Sequence, residues 1–261
     1  MISGGRAGYD RLQVLARVRW PDTAELFERV GVGPGMHCLD LGCGGGDVTL
    51  ELARLVGPEG RVTGIDMDEV KLELAREVAA ERGLENVQFR VDDVTTWSAE
   101  LKYDLVYCRF LLEHLVDPRD LLRRMWAGVE RGGSLAVEDA DFQGQICEPP
   151  NDGYELWRTM YMELLRRRGG DPEIGRKLHG YFLEVGAPSP QLRLAQDVST
   201  DGENKTLPLL TLAATADALQ AEGLVTERDL QTAIASLTNL ADDATTLVAG
   251  PWIFQVWARR T

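Results

Sequence analysis

The chain has 261 residues, 44% of them hydrophobic, with 28 Lys and Arg against 42 Asp and Glu, for a formal net charge of -14. That is enough apolar material for one substantial core, while nucleic acid and anionic membranes both want the clustered positive charge this chain lacks. No apolar run is long enough to span a membrane and no signal-peptide pattern opens the sequence, so a soluble, cytoplasmic protein is expected.

Residues 1–8 are glycine-rich and expected to be mobile. Leu12, Leu15, Ala16 and Val18 have partly helical spacing that should stop before Trp20-Pro21. Asp22 can cap a second helix running to Val30. Strands and helices then alternate. Strands are expected at 37–41, 61–66, 87–91, 103–108 and 134–139, and helices at 46–56, 68–83, 108–115 and 118–130. That order implies right-handed crossovers and a parallel sheet. Beyond it the text changes. Residues 140–170 carry Phe142, Tyr154, Trp157, Tyr161 and Met162, with Pro149-Pro150 as a breaker. A helix over 173–186, a sixth strand over 191–198 and a long helical stretch over 206–248, broken at Gly223, precede a last alternating strand at 252–258.

The most informative segment joins the first strand to the helix after it, Cys38-Leu39-Asp40-Leu41-Gly42-Cys43-Gly44-Gly45-Gly46-Asp47. A strand that turns into a helix through glycines lets a ligand approach the backbone, with the first helical N–H groups pointing at it. The dinucleotide fingerprint G-x-G-x-x-G fails here because its third glycine position is Asp47. Asp40, a carboxylate just before the turn, would repel a pyrophosphate and attract a cation. The pattern therefore suits a positively charged nucleoside without phosphate.

With these residues in register, the chain resembles the class I S-adenosylmethionine-dependent methyltransferases, densely over residues 22–142. The resemblance implies a Rossmann-like, seven-stranded, mostly parallel α/β sheet with its last strand antiparallel, plus helical lid insertions. It implies S-adenosylmethionine as cofactor and S-adenosylhomocysteine as its product. Gly42, Cys43, Gly44 and Gly46 would admit the donor, with Asp40 holding its ammonium. Asp66, ending Arg61-Val62-Thr63-Gly64-Ile65-Asp66, would take the ribose hydroxyls. Asp93, just past the third strand, or its neighbour Asp92 would take the adenine amino group, with Met67 and Val94 flanking the ring. Cys108 and Arg109 end the fourth strand, beneath the sulfonium, and Arg109 could pair with the donor carboxylate or with a nearby acid.

In such a topology the connections after the fifth strand and before the last one leave from the carboxyl ends of the strands, the ligand face of open α/β sheets. A single domain is expected, with a core of about 22–142, 173–199 and 250–261. The lid would comprise about 1–21, 143–172 and 203–249, the last stretch serving alternatively as packing or a homodimer surface. Methyl transfer needs a positioned nucleophile and, for a protic acceptor, a base. His114 is the candidate base, or else it bonds a backbone group. Glu138, Asp139 and Asp141 form an acidic cluster after the fifth strand that could polarise or deprotonate the acceptor, or cap the turn. A metal would need more ligands than this run converges. Tyr154, Trp157 and Tyr161 lie close to helical spacing and could face an apolar substrate, or simply pack.

Cys38, Cys43, Cys108 and Cys147 make no C-x-x-C pair, so no zinc site or disulfide framework is suggested. The sequence thus reads as methyl transfer to a small molecule, a natural product or secondary metabolite. The alternatives are a cyclisation or rearrangement beside a retained donor, or a donor-binding regulator without catalysis.

Overall fold

The computed structural model describes residues 5–261. It opens with a single helix α1, Gly5–Val30. The alternating region supplies β1 (His37–Leu41), α2 (Asp47–Val56), β2 (Arg61–Asp66), α3 (Glu69–Glu81), β3 (Val87–Val91), β4 (Tyr103–Arg109), α4 (Pro118–Gly128) and β5 (Val129–Asp141). The rest comprises β6 (Ile146–Glu148), α5 (Asp152–Arg167), α6 (Leu178–Glu184), β7 (Gln191–Ala195), β8 (Val198–Ser199), α7 (Leu207–Ala221), α8 (Glu227–Asp242), β9 (Leu247–Ala249) and β10 (Trp252–Arg259). The main sheet has seven strands in the order β3-β2-β1-β4-β5-β10-β7. β1 to β5 pair in parallel, and β10 runs antiparallel to both its neighbours.

Two apolar clusters sandwich this sheet. Leu26 and Phe27 of α1 and Leu52 and Val56 of α2 cover one face, and α4 and α6 cover the other. A third cluster lies beyond the strand ends, where Tyr154, Trp157 and Leu165 of α5 pack with Leu212 of α7 and Leu237 of α8. It forms a helical layer above the carboxyl ends of β1, β4 and β5. Among the described residues, no helix is long and apolar enough to cross a membrane.

Several sequence expectations are corrected. Pro21 lies inside α1 rather than between two helices, and the helix already begins at Gly5; residues 1–4 lie outside the described part. An internal proline removes one helical hydrogen bond and costs about 3 kcal/mol. Ion pairs around it offset the loss: Arg19 pairs with Asp22 one turn on and with distant Asp197, and Arg193 Nη2 reaches Asp22 Oδ1 at 2.9 Å. No helix spans 108–115; β4 continues to Arg109, and a single 3-10 turn, Leu112–His114, follows. The sixth strand ends at Ala195, and Val198–Ser199 instead joins a small antiparallel sheet, β6-β9-β8. That sheet was not foreseen, because strands of two or three residues carry no readable period. Gly223 does break the 206–248 stretch, at a φ of 65°.

Glu138 of β5 ties these layers together. It is 1% exposed, and it accepts hydrogen bonds from Thr23 Oγ1 at 2.8 Å, from Gln255 Nε2 at 2.6 Å and from the Tyr107 hydroxyl. Glu138→Gln turns one acceptor oxygen into a donor facing donors. It should cost about 2 kcal/mol, measured as a lower denaturant midpoint at unchanged slope.

Candidate functional site

A cavity of about 550 Å³ opens between the carboxyl ends of the strands and the helical layer. Its floor is the glycine turn. Gly42 and Gly44 both have positive φ, 68° and 55°, which L side chains rarely adopt. The Gly44 N–H donates to Asp66 Oδ2 at 2.9 Å, locking the turn to the end of β2. Asp66 Oδ1 accepts from the Asp68 N–H at 2.9 Å, so the carboxylate is fixed from both sides.

Asp40, Gly42, Cys43, Gly44, Asp66, Met67, Asp93, Val94 and Arg109, nine of the expected donor residues, line this cavity. Asp40 is buried, and Thr49 Oγ1 donates to its Oδ2 at 2.6 Å. Burial pushes its carboxyl up to about 7, against the opposing pull of Thr49 and then Arg109. Asp93 is held in a local turn by the Thr95 hydroxyl and N–H, which draw its carboxyl below the usual range. Arg109 Nη1 donates to Thr23 Oγ1 at 3.1 Å.

Gly46 and Cys108 stand elsewhere. A Cβ on Gly46 would lie 2.8 Å from Ala75 Cβ and 2.9 Å from the Phe89 ring, so this glycine lets α2 pack against α3 and β3. Cys108 faces the core with Leu39 and Val137. Side chains alternate along a strand, and its neighbours Tyr107 and Arg109 take the cavity side.

The acidic cluster at the end of β5 also sits outside the cavity wall. Besides Glu138, Asp139 accepts N–H bonds from Leu112, Glu113 and Ala140, fixing the turn after β4. Burial raises the Asp139 carboxyl to about 7. Asp141 pairs with Arg176 and accepts the Gln143 N–H. Tyr154 donates to the Ala249 carbonyl at 3.1 Å and packs edge-on to Trp157. Trp157 and Tyr161 do line the cavity.

His114 lines the cavity too, its Nε2 at 3.3 Å from Glu113 Oε1. Burial, with Arg11 and Lys71 adding to it, pushes its imidazole down to about 4, which keeps it neutral. Burial pushes the adjoining Glu113 carboxyl well above the usual carboxylate range. Three site features escaped the sequence reading: Glu113, Gln145 and, in α1, Arg11. The signal for Glu113 was an acid between Leu112 and His114 directly after β4, where an apolar segment gives a carboxylate no solvent. Arg11 was a lone cation beside Leu12 and Leu15, which face the same cavity.

A methyltransferase domain model matches residues 33–177, more than half of the chain. The chain belongs to the class I S-adenosylmethionine-dependent methyltransferase family. It is similar to a trans-aconitate 2-methyltransferase of Methylobacterium radiotolerans, 36% identical over 165 residues, covering 63% of this chain and 58% of that protein. It is also similar to a ubiquinone biosynthesis O-methyltransferase of Pseudomonas savastanoi, 38% identical over 121 residues, 46% of this chain and 48% of that protein. The matches thus span about half of these curated relatives. The fold is shared with the phosphoethanolamine N-methyltransferase 2 of Haemonchus contortus, solved with S-adenosyl-L-methionine. The TM-score is 0.58 at 14% identity, over 93% of this chain and 53% of that one.

Gly46 offers a check on the turn. Gly46→Ala forces a left-handed alanine against Ala75 and Phe89, and thermal unfolding should report a loss of about 2 kcal/mol or more.

Proposed function

We propose that this methyltransferase passes a methyl group from S-adenosylmethionine to a small-molecule acceptor, a natural product or secondary metabolite, held in the cavity under the helical layer. The observation that carries this reading is Asp40, a buried carboxylate in the cavity wall beside the glycine turn, with one oxygen bonded to Thr49. A buried carboxylate calls for a cationic partner, and the donor's ammonium is one.

The other residues fall into place around it. Arg109, which acts on both Asp40 and Asp47 through its charge, takes the donor carboxylate. Asp66, already oriented by two N–H groups, takes the ribose hydroxyls. Asp93 faces the adenine amino group, with Met67 and Val94 against the ring. When bound, S-adenosylmethionine supplies an electrophilic methyl carbon: the acceptor's lone pair forms the new bond, the C–S electron pair returns to sulfur, and the acceptor's proton leaves. Neutral His114 is placed to take that proton. The lid is the N-terminal half of α1 with α5 and α7, and it excludes water through Leu12, Trp157, Tyr161, Leu164 and Leu207. Enclosure on this scale suits a small acceptor.

Calorimetric titration with S-adenosylmethionine, and separately with S-adenosylhomocysteine, tests the reading. Both should bind in the micromolar range, and binding of neither overturns it. Asp66→Ala should weaken both ligands; unchanged affinity would remove Asp66 from the donor site.

The same titration has a pH signature. Asp40 must be ionised to hold an ammonium, and a proton competes for it below about 7. Affinity should therefore be flat at high pH and about tenfold weaker at pH 6 than at pH 8. Thr49→Val removes the hydroxyl that favours the ion, so the midpoint of this profile should move to higher pH.

A further inference from the structure

Among the described residues, three buried side-chain polar atoms have no hydrogen-bond partner: Glu113 Oε2, Gln145 Oε1 and Trp157 Nε1. All three residues line the same cavity. A buried polar atom without a partner keeps its desolvation penalty uncompensated, and a folded chain seldom leaves three in one place. Their convergence marks a site that a ligand completes.

A charge stands beside them. Arg11 of α1 lines the cavity, and its Nε donates to Thr211 Oγ1 at 3.0 Å. Among the described residues it has no carboxylate within ion-pair distance. Arg109 is the cation at the donor end, close enough to act on Asp40 and Asp47. Arg11 acts instead on Glu113, His114 and Tyr161. Three guanidinium groups thus line the cavity: Arg168 is paired with Glu222, the donor's single carboxylate accounts for Arg109, and Arg11 is left for another anion.

We propose that the acceptor is an apolar carboxylic acid whose carboxylate is anchored by the Arg11 guanidinium and the Trp157 indole N–H. This rests on the reading that donor and acceptor share the cavity. An oxyanion answers both groups: a cation without an anion and a donor without an acceptor. Glu113, kept protonated by burial, donates its O–H to the same carboxylate, while Gln145 Oε1, an acceptor, asks for a donor elsewhere on the ligand. A protonated Glu113 avoids the like-charge repulsion that a second carboxylate would otherwise meet. The remaining walls, including Phe110, Phe142, Leu164 and Leu165, suit an apolar body. One guanidinium matches one negative charge, which favours a carboxylate over a phosphate dianion. Arg11, Glu113 and Trp157 thus act as specificity residues that bind and orient the acceptor.

The experiment uses the full chain saturated with S-adenosylhomocysteine, titrated calorimetrically with benzoate, cinnamate and 4-phenylbutyrate, with their three primary amides and with phenyl phosphate. At least one acid should bind about tenfold or more tightly than its amide. Arg11→Gln should abolish that preference and leave S-adenosylhomocysteine affinity unchanged, while Arg11→Lys should keep part of it. Trp157→Phe, which keeps an aromatic ring and removes the N–H, should weaken the acid several-fold. The proposal is overturned if none of the acids binds, if acids and amides bind equally, or if phenyl phosphate binds tightest. Loss of S-adenosylhomocysteine affinity in Arg11→Gln also overturns it, by assigning Arg11 to the donor. Failure of the unaltered chain to bind S-adenosylhomocysteine at all would sink the donor reading instead, and the two failures are read from separate titrations.

Discussion

Glu138 is a carboxylate enclosed where α1, β4, β5 and β10 meet, and much of the molecule follows from its need for donors. A polar group buried in that position is tolerated only when its oxygens are fully bonded. Thr23, Tyr107 and Gln255 each come from a different element to bond it. The requirement fixes α1 against the sheet at Thr23. Once α1 is fixed there, its N-terminal half must run over the glycine turn. Gln13 then reaches Asp47 at 2.6 Å, and Tyr9 and Leu12 close on Gly45 and Gly44. The cavity has a roof because one buried carboxyl group needs a threonine.

Polarity inside that roof is sorted by location. At the floor, Asp40 and Asp66 present carboxylates on short, fixed tethers. At the far end, Glu113 and His114 are both shifted towards their neutral forms by burial. Burial lowers the local dielectric, so the charges that remain interact strongly. Phe110 adds backbone strain between the two ends. It has a φ of 52°, a left-handed conformation that a bulky residue seldom adopts, and it is held there by its N–H bond to the Glu138 carbonyl at 2.9 Å. Strain of this kind persists where the surroundings over-determine it, as they do at ligand sites.

The parallel sheet and the donor floor were legible in the sequence because their signals are local. Asp40, the glycines and Asp66 sit at fixed offsets along a strand, a turn and the next strand end. Cys108 could have been assigned to the core from the period of two, since Tyr107 and Arg109 beside it face the cavity. The roof was harder to read. Arg11 and Glu113 are far apart in sequence, and neither carries a local pattern that brings them together. The proline at position 21 looked like a boundary because the ties that keep α1 continuous, from Arg193 and Asp197, arise more than 170 residues later. Gly46 belongs to the turn motif by spacing, yet its φ of 78° serves the packing of Phe89.

The place of β10 has a bearing on how the fold is reached. It follows every other strand in chain order, yet it lies between β5 and β7. During synthesis, β1 to β5 can pair as they emerge, each beside an earlier neighbour. β7 cannot, since among the described residues it pairs with β10 alone. Until residues 252–259 leave the ribosome, β5 offers an open edge, β7 waits unpaired and Glu138 lacks Gln255. An unpaired edge invites contact between nascent chains, so the interval before β10 arrives is the vulnerable stage of this protein's biogenesis.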